Sequence, residues 1–256
     1  MIHPDMLLAR LEAIGYALSQ RKDALALIGL GSVGQERDRL DAFSDLDFFA
    51  IVEEGAKADY LARLDWLAAV APIAYSFRNT VDGYKLLYAD GIFCEFAVFT
   101  QTELAAAAFT AARVIWQRPD AVLPMPQSQG IVRPERHEDE WLVGEALTNL
   151  YVGLGRMRRG EILSATRFIQ HYAVDRVIEL ASRTAPVPAV HIDPFVSERR
   201  IEQRSPALAK LLPQFVQGYS HNRESALAIL SFLETYFDVH PAIAHAIRSV
   251  AAGDSE

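Results

Sequence analysis

The chain has 256 residues, of which 51% are hydrophobic, so it can bury a sizeable core as one large domain or two modest ones. Its formal charge of −8 argues against a general nucleic-acid binder, because neutralising phosphates requires a basic face. The single cysteine, Cys94, excludes an internal disulfide and any multi-cysteine zinc site.

The first half of the chain mixes helical and extended patterns. Apolar residues recur at helical spacing behind Pro4, which predicts an amphipathic helix over residues 4 to 21. Asp90-Gly91 is typical of a tight turn and predicts a hairpin between the strands on either side. The other predicted elements are strands at 24 to 30, 46 to 52, 73 to 77, 84 to 88 and 92 to 99, and a helix at 57 to 70.

Prolines mark the middle of the chain as a boundary, because they cannot continue a helix or a central strand. They stand at Pro119, Pro124, Pro126 and Pro134. We predict a first domain over 1 to 118, a linker over 119 to 134 and a helical domain over 135 to 256. The predicted fold class is α+β, a small mixed sheet with helices followed by a C-terminal helical bundle.

Neither a membrane segment nor a signal peptide is evident in the sequence. The longest apolar stretches fall well short of the roughly 20 residues that span a bilayer. Asp5, Arg10 and Glu12 interrupt the apolar core that a signal peptide requires. We therefore expect a cytoplasmic protein with no membrane partner. The sequence leaves open whether the chain forms a homodimer.

Chemistry concentrates where Gly31-Ser32 is followed by Asp45 and Asp47. Residues two apart on a strand face the same side, so both carboxylates can reach one metal cluster. Mg²⁺ prefers oxygen ligands and is usually held by one or two carboxylates and substrate phosphates. Glycine lets the backbone approach a phosphate closely, and the serine hydroxyl can donate to it. Because no basic face is evident, we expect metal ions to supply the positive charge.

Each of these motifs alone has a structural explanation. An Asp-x-Asp pair is often a turn or a helix cap, and a Gly-Ser pair is a weaker signal still. Their order is informative, because a strand, a glycine, a serine, paired acids and an apolar strand rarely follow one another by chance.

A dinucleotide-binding turn is a competing interpretation, because Gly29, Gly31 and Gly34 match the G-x-G-x-x-G pattern. Such a turn needs a following helix with an apolar stripe that packs on the sheet. Residues 35 to 41 are nearly all charged or polar, so a helix there cannot dock. We therefore favour a site for a metal-complexed triphosphate.

Glu95 interrupts the apolar strand predicted over 92 to 99. An unpaired carboxylate is costly to bury. Glu95 therefore either lies on a solvated edge strand or meets a metal, a cation or a substrate proton.

These residues resemble the hallmark of the DNA polymerase β-like nucleotidyltransferase superfamily, a glycine-serine pair followed by an acid-hydrophobic-acid strand. The first helix, the later strand acid and the helical second half are similar to the bacterial lincosamide and aminoglycoside antibiotic nucleotidyltransferases. Among these enzymes, the chain resembles the two-domain lincosamide type. Motifs carry the resemblance over the first 120 residues, and helical character alone carries it over the rest. Arg37 and Arg39 fill the interval before the acids without a clear phosphate role.

The resemblance implies adenylyl transfer from ATP with two Mg²⁺ ions. It assigns Asp45 and Asp47 as metal ligands, and Gly31-Ser32 as the turn that binds the triphosphate. Glu95 matches the third acid, which either ligates metal or deprotonates the acceptor hydroxyl. We favour the general base because the sequence neighbours of Glu95 are apolar.

The expected acceptor is a small hydroxylated molecule such as a lincosamide or aminoglycoside, which would make the chain an antibiotic-resistance enzyme. Acidic residues of the helical domain, among them Asp139, Glu140 and Glu145, can hold acceptor amines or lie in solvent. Two alternatives stay open: a catalytically silent nucleotide-binding regulatory protein, and adenylylation of a protein.

Overall fold

The computed structural model describes residues 2–107, 109, 111–123, 137–184, 196 and 198–253. The chain divides into two compact units, Met1–Ile131 and Val132–Glu256. The 124–134 part of the predicted linker, with three of its four prolines, lies outside the described residues. No helix in the described ranges has the length and apolar composition needed to cross a bilayer.

The first unit is built on one mixed sheet, which has six strands among the described residues. The strands are β1 (Ala24–Gly29), β2 (Leu46–Val52), β3 (Ile73–Phe77), β4 (Gly83–Tyr88), β5 (Phe93–Thr100) and β6 (Arg113–Gln117). Their order is β3-β4-β5-β2-β1-β6. β2 and β5 run parallel, whereas β1 pairs antiparallel with both β2 and β6. The predicted hairpin of β4 and β5 is confirmed as an antiparallel pair.

One face of the sheet is covered by α1 (Pro4–Ser19). The helix buries Leu7, Leu11, Ile14 and Leu18 at its predicted helical spacing, against Leu46 and other apolar residues of the strands. The side chain of His3 accepts from the Asp5 amide and caps the first turn.

The single helix predicted over 57 to 70 is wrong in extent. The structure has two short helices, α2 (Lys57–Ala62) and α3 (Asp65–Ala68), with extended backbone at Arg63 between them. The break lets the Trp66 indole donate to the Tyr60 carbonyl at 3.3 Å, so both large side chains pack in the core. Tertiary packing thus overrides the helical pattern.

Two elements of this unit were not predicted from the sequence. The helix α4 (Gln101–Ala106) follows β5 and starts with a capping box, in which the side chains of Thr100 and Glu103 bond each other's backbone amides. The edge strand β6 follows this helix and pairs with β1.

A second apolar cluster packs on the other face of the sheet. There Phe49 and Phe99 pack edge to face, with ring centroids 4.9 Å apart. Ile51 of β2 and Leu104 of α4 are fully buried in the same cluster. The other end of this face carries the polar side chains described below.

The second unit is helical throughout its described elements. They are α5 (Asp139–Arg158), α6 (Ile162–Arg167), α7 (Val174–Thr184), α8 (Ile201–Arg204), α9 (Pro206–Ala209), α10 (Leu212–Phe215), α11 (Asn222–Tyr236) and α12 (Pro241–Ala252). A π-helical segment, Phe168–Ala173, joins α6 to α7. One apolar core runs through the unit, as expected for a bundle.

Candidate active site

The two predicted metal ligands stand at the start of β2. Asp45 immediately precedes the strand and Asp47 is its second residue. Leu46 and Phe48 are fully buried on the core side, while Asp47 is half-buried and faces the opposite side. The predicted alternation of acids and apolar residues is therefore present in the structure.

Both acids lie within electrostatic reach of Cys94, the register partner of Leu46 on β5. Burial, together with the negative charges of Asp45 and Asp47, raises the pKa of the Cys94 thiol to about 12. Both acids therefore stand near Cys94, at the start of β2.

Glu95 is the direct neighbour of Asp47, because the two residues are register partners on the parallel strands β2 and β5. Lys85 is in turn the partner of Glu95 on β4. Side chains of register partners share a face, so Lys85, Glu95 and Asp47 form one polar row across three strands.

The environment inferred for Glu95 from its sequence neighbours is wrong. Cys94 and Phe96 face the buried side, whereas the Glu95 side chain is 42% exposed on the other. Its carboxylate lies 3.3 Å from Lys85 Nζ and accepts a 3.0 Å hydrogen bond from Asn79 Nδ2. Alternation along the strand explains the difference: residues next to each other in sequence are not neighbours in space.

The Gly31-Ser32 turn follows β1 and begins next to Asp47, one residue of this row. The Leu30 amide donates to the Asp47 carbonyl at 2.8 Å, so the turn begins beside the second acid. Gly31 has φ +51°, a backbone conformation that glycine adopts at little cost. Among the described residues, the Gly31 and Ser32 amides donate to no backbone carbonyl.

The dinucleotide-binding interpretation is excluded by the topology. β1 pairs antiparallel with β2, whereas that motif requires two parallel strands joined by a helix. A short 3₁₀ turn, Arg37–Arg39, stands where the helix would be needed. Gly34 is instead required because a Cβ there would lie 2.0 Å from the Ala111 carbonyl oxygen.

The donor chemistry of Asp45 and Asp47 fits a magnesium ion that shares its coordination with phosphate oxygens. Both side chains are half-buried carboxylates at the start of β2. No group of three or more His, Cys, Asp or Glu side chains suited to a metal ion occurs within the described ranges.

No family model and no curated protein matches the chain. Among solved structures, an aminoglycoside 6-adenyltransferase from Bacillus subtilis aligns with 95% of this chain and 96% of its own, at 13% identity and a TM-score of 0.36. The STING-associated CdnE c-di-GMP synthase from Capnocytophaga granulosa aligns with 97% of this chain and 79% of its own, at 10% identity and a TM-score of 0.31. Likenesses this low carry no argument about function.

Sequence reasoning missed Lys85 and Asn79, which hold Glu95. The predicted hairpin contains the signal for Lys85, because a tight turn at Asp90-Gly91 sets the register that brings Lys85 opposite Glu95. Asn79 lies before β4, in a segment whose path no local pattern determines.

Two of the acids expected to meet an acceptor line a cavity of about 980 Å³ in the second unit. Asp139, Glu140 and Asp238 share its wall with apolar side chains such as Leu147 and Phe237. The cavity is therefore amphipathic and acidic.

Glu145 lies elsewhere, in a smaller cavity of about 250 Å³. The lining residues are Glu145, Asn149, Tyr172, Asp175 and Arg176. Burial and the negative charge of Glu198 raise the pKa of Asp175. The structure therefore separates Glu145 from Asp139 and Glu140, which sequence reasoning had grouped.

Proposed function

We propose that the chain is a metal-dependent nucleotidyltransferase that transfers AMP from ATP to a hydroxyl of a small acceptor. One observation carries the proposal: Asp47 and Glu95 are register partners on parallel strands, and the Gly31-Ser32 turn begins at a hydrogen bond to the Asp47 backbone. Two of the predicted acids, Asp47 and Glu95, thus share one face of the sheet, and the Gly31-Ser32 turn begins beside the first of them.

In this proposal Asp45 and Asp47 hold Mg²⁺, with two ions as the family resemblance implies. Held by these two carboxylates, Mg²⁺ would neutralise the triphosphate and polarise the phosphoryl oxygens. The Ser32 hydroxyl and the amides of the turn donate to the terminal phosphates.

Glu95 acts as the general base. The acceptor oxygen bonds to the α-phosphorus, the bond from that phosphorus to the bridging oxygen breaks, and pyrophosphate leaves with the electron pair. The hydroxyl proton passes to the Glu95 carboxylate. Lys85 and Asn79 orient that carboxylate through the ion pair and the hydrogen bond described above.

The proposed acceptor is a small polyhydroxylated molecule, with lincosamide and aminoglycoside antibiotics as the first candidates. The formal charge of −8 disfavours a nucleic acid and favours a neutral or cationic molecule. The acidic, partly apolar cavity of the second unit has a volume within the usual range for small-ligand sites.

A nucleotide-binding protein without turnover is the second candidate. The ion pair of Lys85 and Glu95 favours it, because a carboxylate that already has a partner can serve structure alone. Adenylylation of a protein hydroxyl would use the same site residues and differs only in the acceptor.

Incubation with Mg²⁺, ATP and single antibiotics, followed by mass spectrometry, tests the proposal. A product heavier by one AMP, formed with pyrophosphate, supports a small acceptor. If a cellular protein is labelled and no drug is modified, the acceptor is a protein and not a small molecule. ATP binding without any product supports the second candidate.

A further inference from the structure

Phe77 extends the polar row of Lys85, Glu95 and Asp47 by one strand. It lies on the edge strand β3 and is the register partner of Lys85 on β4. Because register partners share a face, the Phe77 side chain stands on the face that carries Glu95. Neighbouring strands are about 4.8 Å apart, so Phe77 and Glu95, which are two strands apart, are separated by about 10 Å. An aromatic side chain therefore stands within the length of one small molecule from the proposed base.

An apolar row runs beside the polar one on the same face. Tyr75 is the register partner of Leu87, and Leu87 is the partner of Phe93. We call these three residues and Phe77 the apolar platform. Tyr75 and Phe77 are 58% and 54% exposed, and no apolar cluster of the described residues includes any of the four. Uncovered apolar surface of this kind marks a binding site.

The backbone at the edge of the platform is held in place relative to Glu95. Asn79, two residues after Phe77, donates to the Glu95 carboxylate at 3.0 Å. Arg78 donates to the Val81 carbonyl at 2.6 Å and closes the turn that follows β3. Phe77 is thus positioned by strand pairing on one side and by this turn on the other. A surface held in this way loses little conformational freedom when a ligand binds.

The chemistry of the platform suits a sugar ring. The face of an aromatic ring carries partial negative charge and attracts C–H hydrogens, which a sugar ring presents on its own faces. The hydroxyls of a sugar lie at the ring edge, where a neighbouring carboxylate can accept from them. The polar row has two carboxylates, of Asp47 and Glu95, and one ammonium group, of Lys85. Its charge therefore complements a neutral or amine-bearing ligand better than an anion.

We propose that Phe77 and Tyr75 bind a sugar ring of a glycoside acceptor, one of whose hydroxyls then meets Glu95. The inference rests on the proposed function for the role of Glu95. A separation of about 10 Å between Phe77 and Glu95 favours an acceptor of two or more linked rings. Phe77 then determines acceptor specificity and has no part in binding ATP.

Calorimetric titration with lincomycin and with kanamycin tests Phe77 without any transfer reaction. The protein is first saturated with Mg²⁺ and an ATP analogue that has a methylene bridge between its α- and β-phosphates. Phe77→Ala is expected to weaken binding of the accepted drug about tenfold, because the stacked ring is lost. Phe77→Trp keeps an aromatic face and should keep the affinity. Tyr16→Ala, which removes a 70% exposed aromatic side chain of α1, is the matched control and should change nothing.

The affinity for the ATP analogue is expected to be equal in all these variants. Equal drug affinities of Phe77→Ala and Tyr16→Ala would overturn the proposal, as would an unmodified protein that binds neither drug. A dimer that dissociates in Phe77→Ala, measured by sedimentation, would make the platform an interface between two copies and would also overturn it.

Kinetics separate this proposal from the proposed function. AMP transfer with an unchanged KM for the drug in Phe77→Ala would overturn the role of the platform and leave the proposed function standing. Drug binding that depends on Phe77, with no AMP transfer by the unmodified protein, would support the platform and count against the proposed function alone.

Discussion

Lys85 and Glu95 are ion-paired across neighbouring strands, with Nζ 3.3 Å from Oε2. Their side chains are 43% and 42% exposed, and ion pairs that exposed contribute only about 0.2–1 kcal/mol. The pair is therefore weak enough for Glu95 to exchange the lysine for a substrate hydroxyl. The ion pair orients the Glu95 carboxylate but does not hold it in one position.

Asp45→Asn and Asp47→Asn are each expected to abolish Mg²⁺-dependent ATP binding while the fold stays intact, because both acids lie outside the buried core. Calorimetry with Mg-ATP measures the affinity, and circular dichroism checks the fold. Asp59→Asn, an exposed carboxylate on α2, is the matched control. Unchanged affinity in both site variants would remove the metal assignment.

Glu95→Gln distinguishes a base from a ligand. If Glu95 is the base, the variant should lower kcat by a factor of roughly 10² to 10⁴. Its affinity for ATP should change only a few-fold. Steady-state kinetics and calorimetry on the same variant separate the two quantities. Loss of metal-dependent binding would make Glu95 a third ligand, and full activity would leave it a structural partner of Lys85.

Gly34→Ala is expected to destabilise the first unit by about 2 kcal/mol or more, because the added Cβ meets backbone atoms that cannot move aside. It would lie 2.0 Å from the Ala111 oxygen and 2.8 Å from the Gly29 oxygen. Gly144→Ala, in α5 with open space around it, should instead stabilise by up to about 1 kcal/mol. Urea unfolding compares the two, and similar effects would contradict the packing of the turn.

Cys94 is expected to resist thiol reagents in the folded protein. Its pKa is raised to about 12, so at pH 8 roughly one thiol in 10⁴ is ionised, and the side chain is fully buried. The chain has a single cysteine, so the count of labelled thiols is unambiguous. Slow labelling in buffer and rapid labelling in urea are predicted, whereas rapid labelling of folded protein would place Cys94 at the surface.

Much of the site was predictable because strand alternation is a local property. The apolar run Leu46–Val52 identified β2 with its observed bounds, and alternation along the strand placed Asp47 on the face opposite Leu46 and Phe48. The environment of Glu95 was not predictable in the same way, since it depends on Lys85 of a neighbouring strand. Cys94 and Phe96, which flank Glu95 in the sequence, lie on the opposite face of the sheet from its carboxylate.

The unpredicted elements depend on non-local contacts. β6 is a short edge strand that exists by pairing with β1, far away in sequence. The helix break at Arg63 follows from the packing of Tyr60 and Trp66, which local periodicity does not encode.

The most direct test of the central claim is to follow each phosphate of ATP. Protein, Mg²⁺ and an accepted substrate are incubated with ATP labelled at either the α- or the γ-phosphorus. Adenylyl transfer predicts the α-label in the product and the γ-label in pyrophosphate, with both lost in Asp47→Asn. The γ-label in the product, or release of inorganic phosphate in place of pyrophosphate, would contradict nucleotidyl transfer.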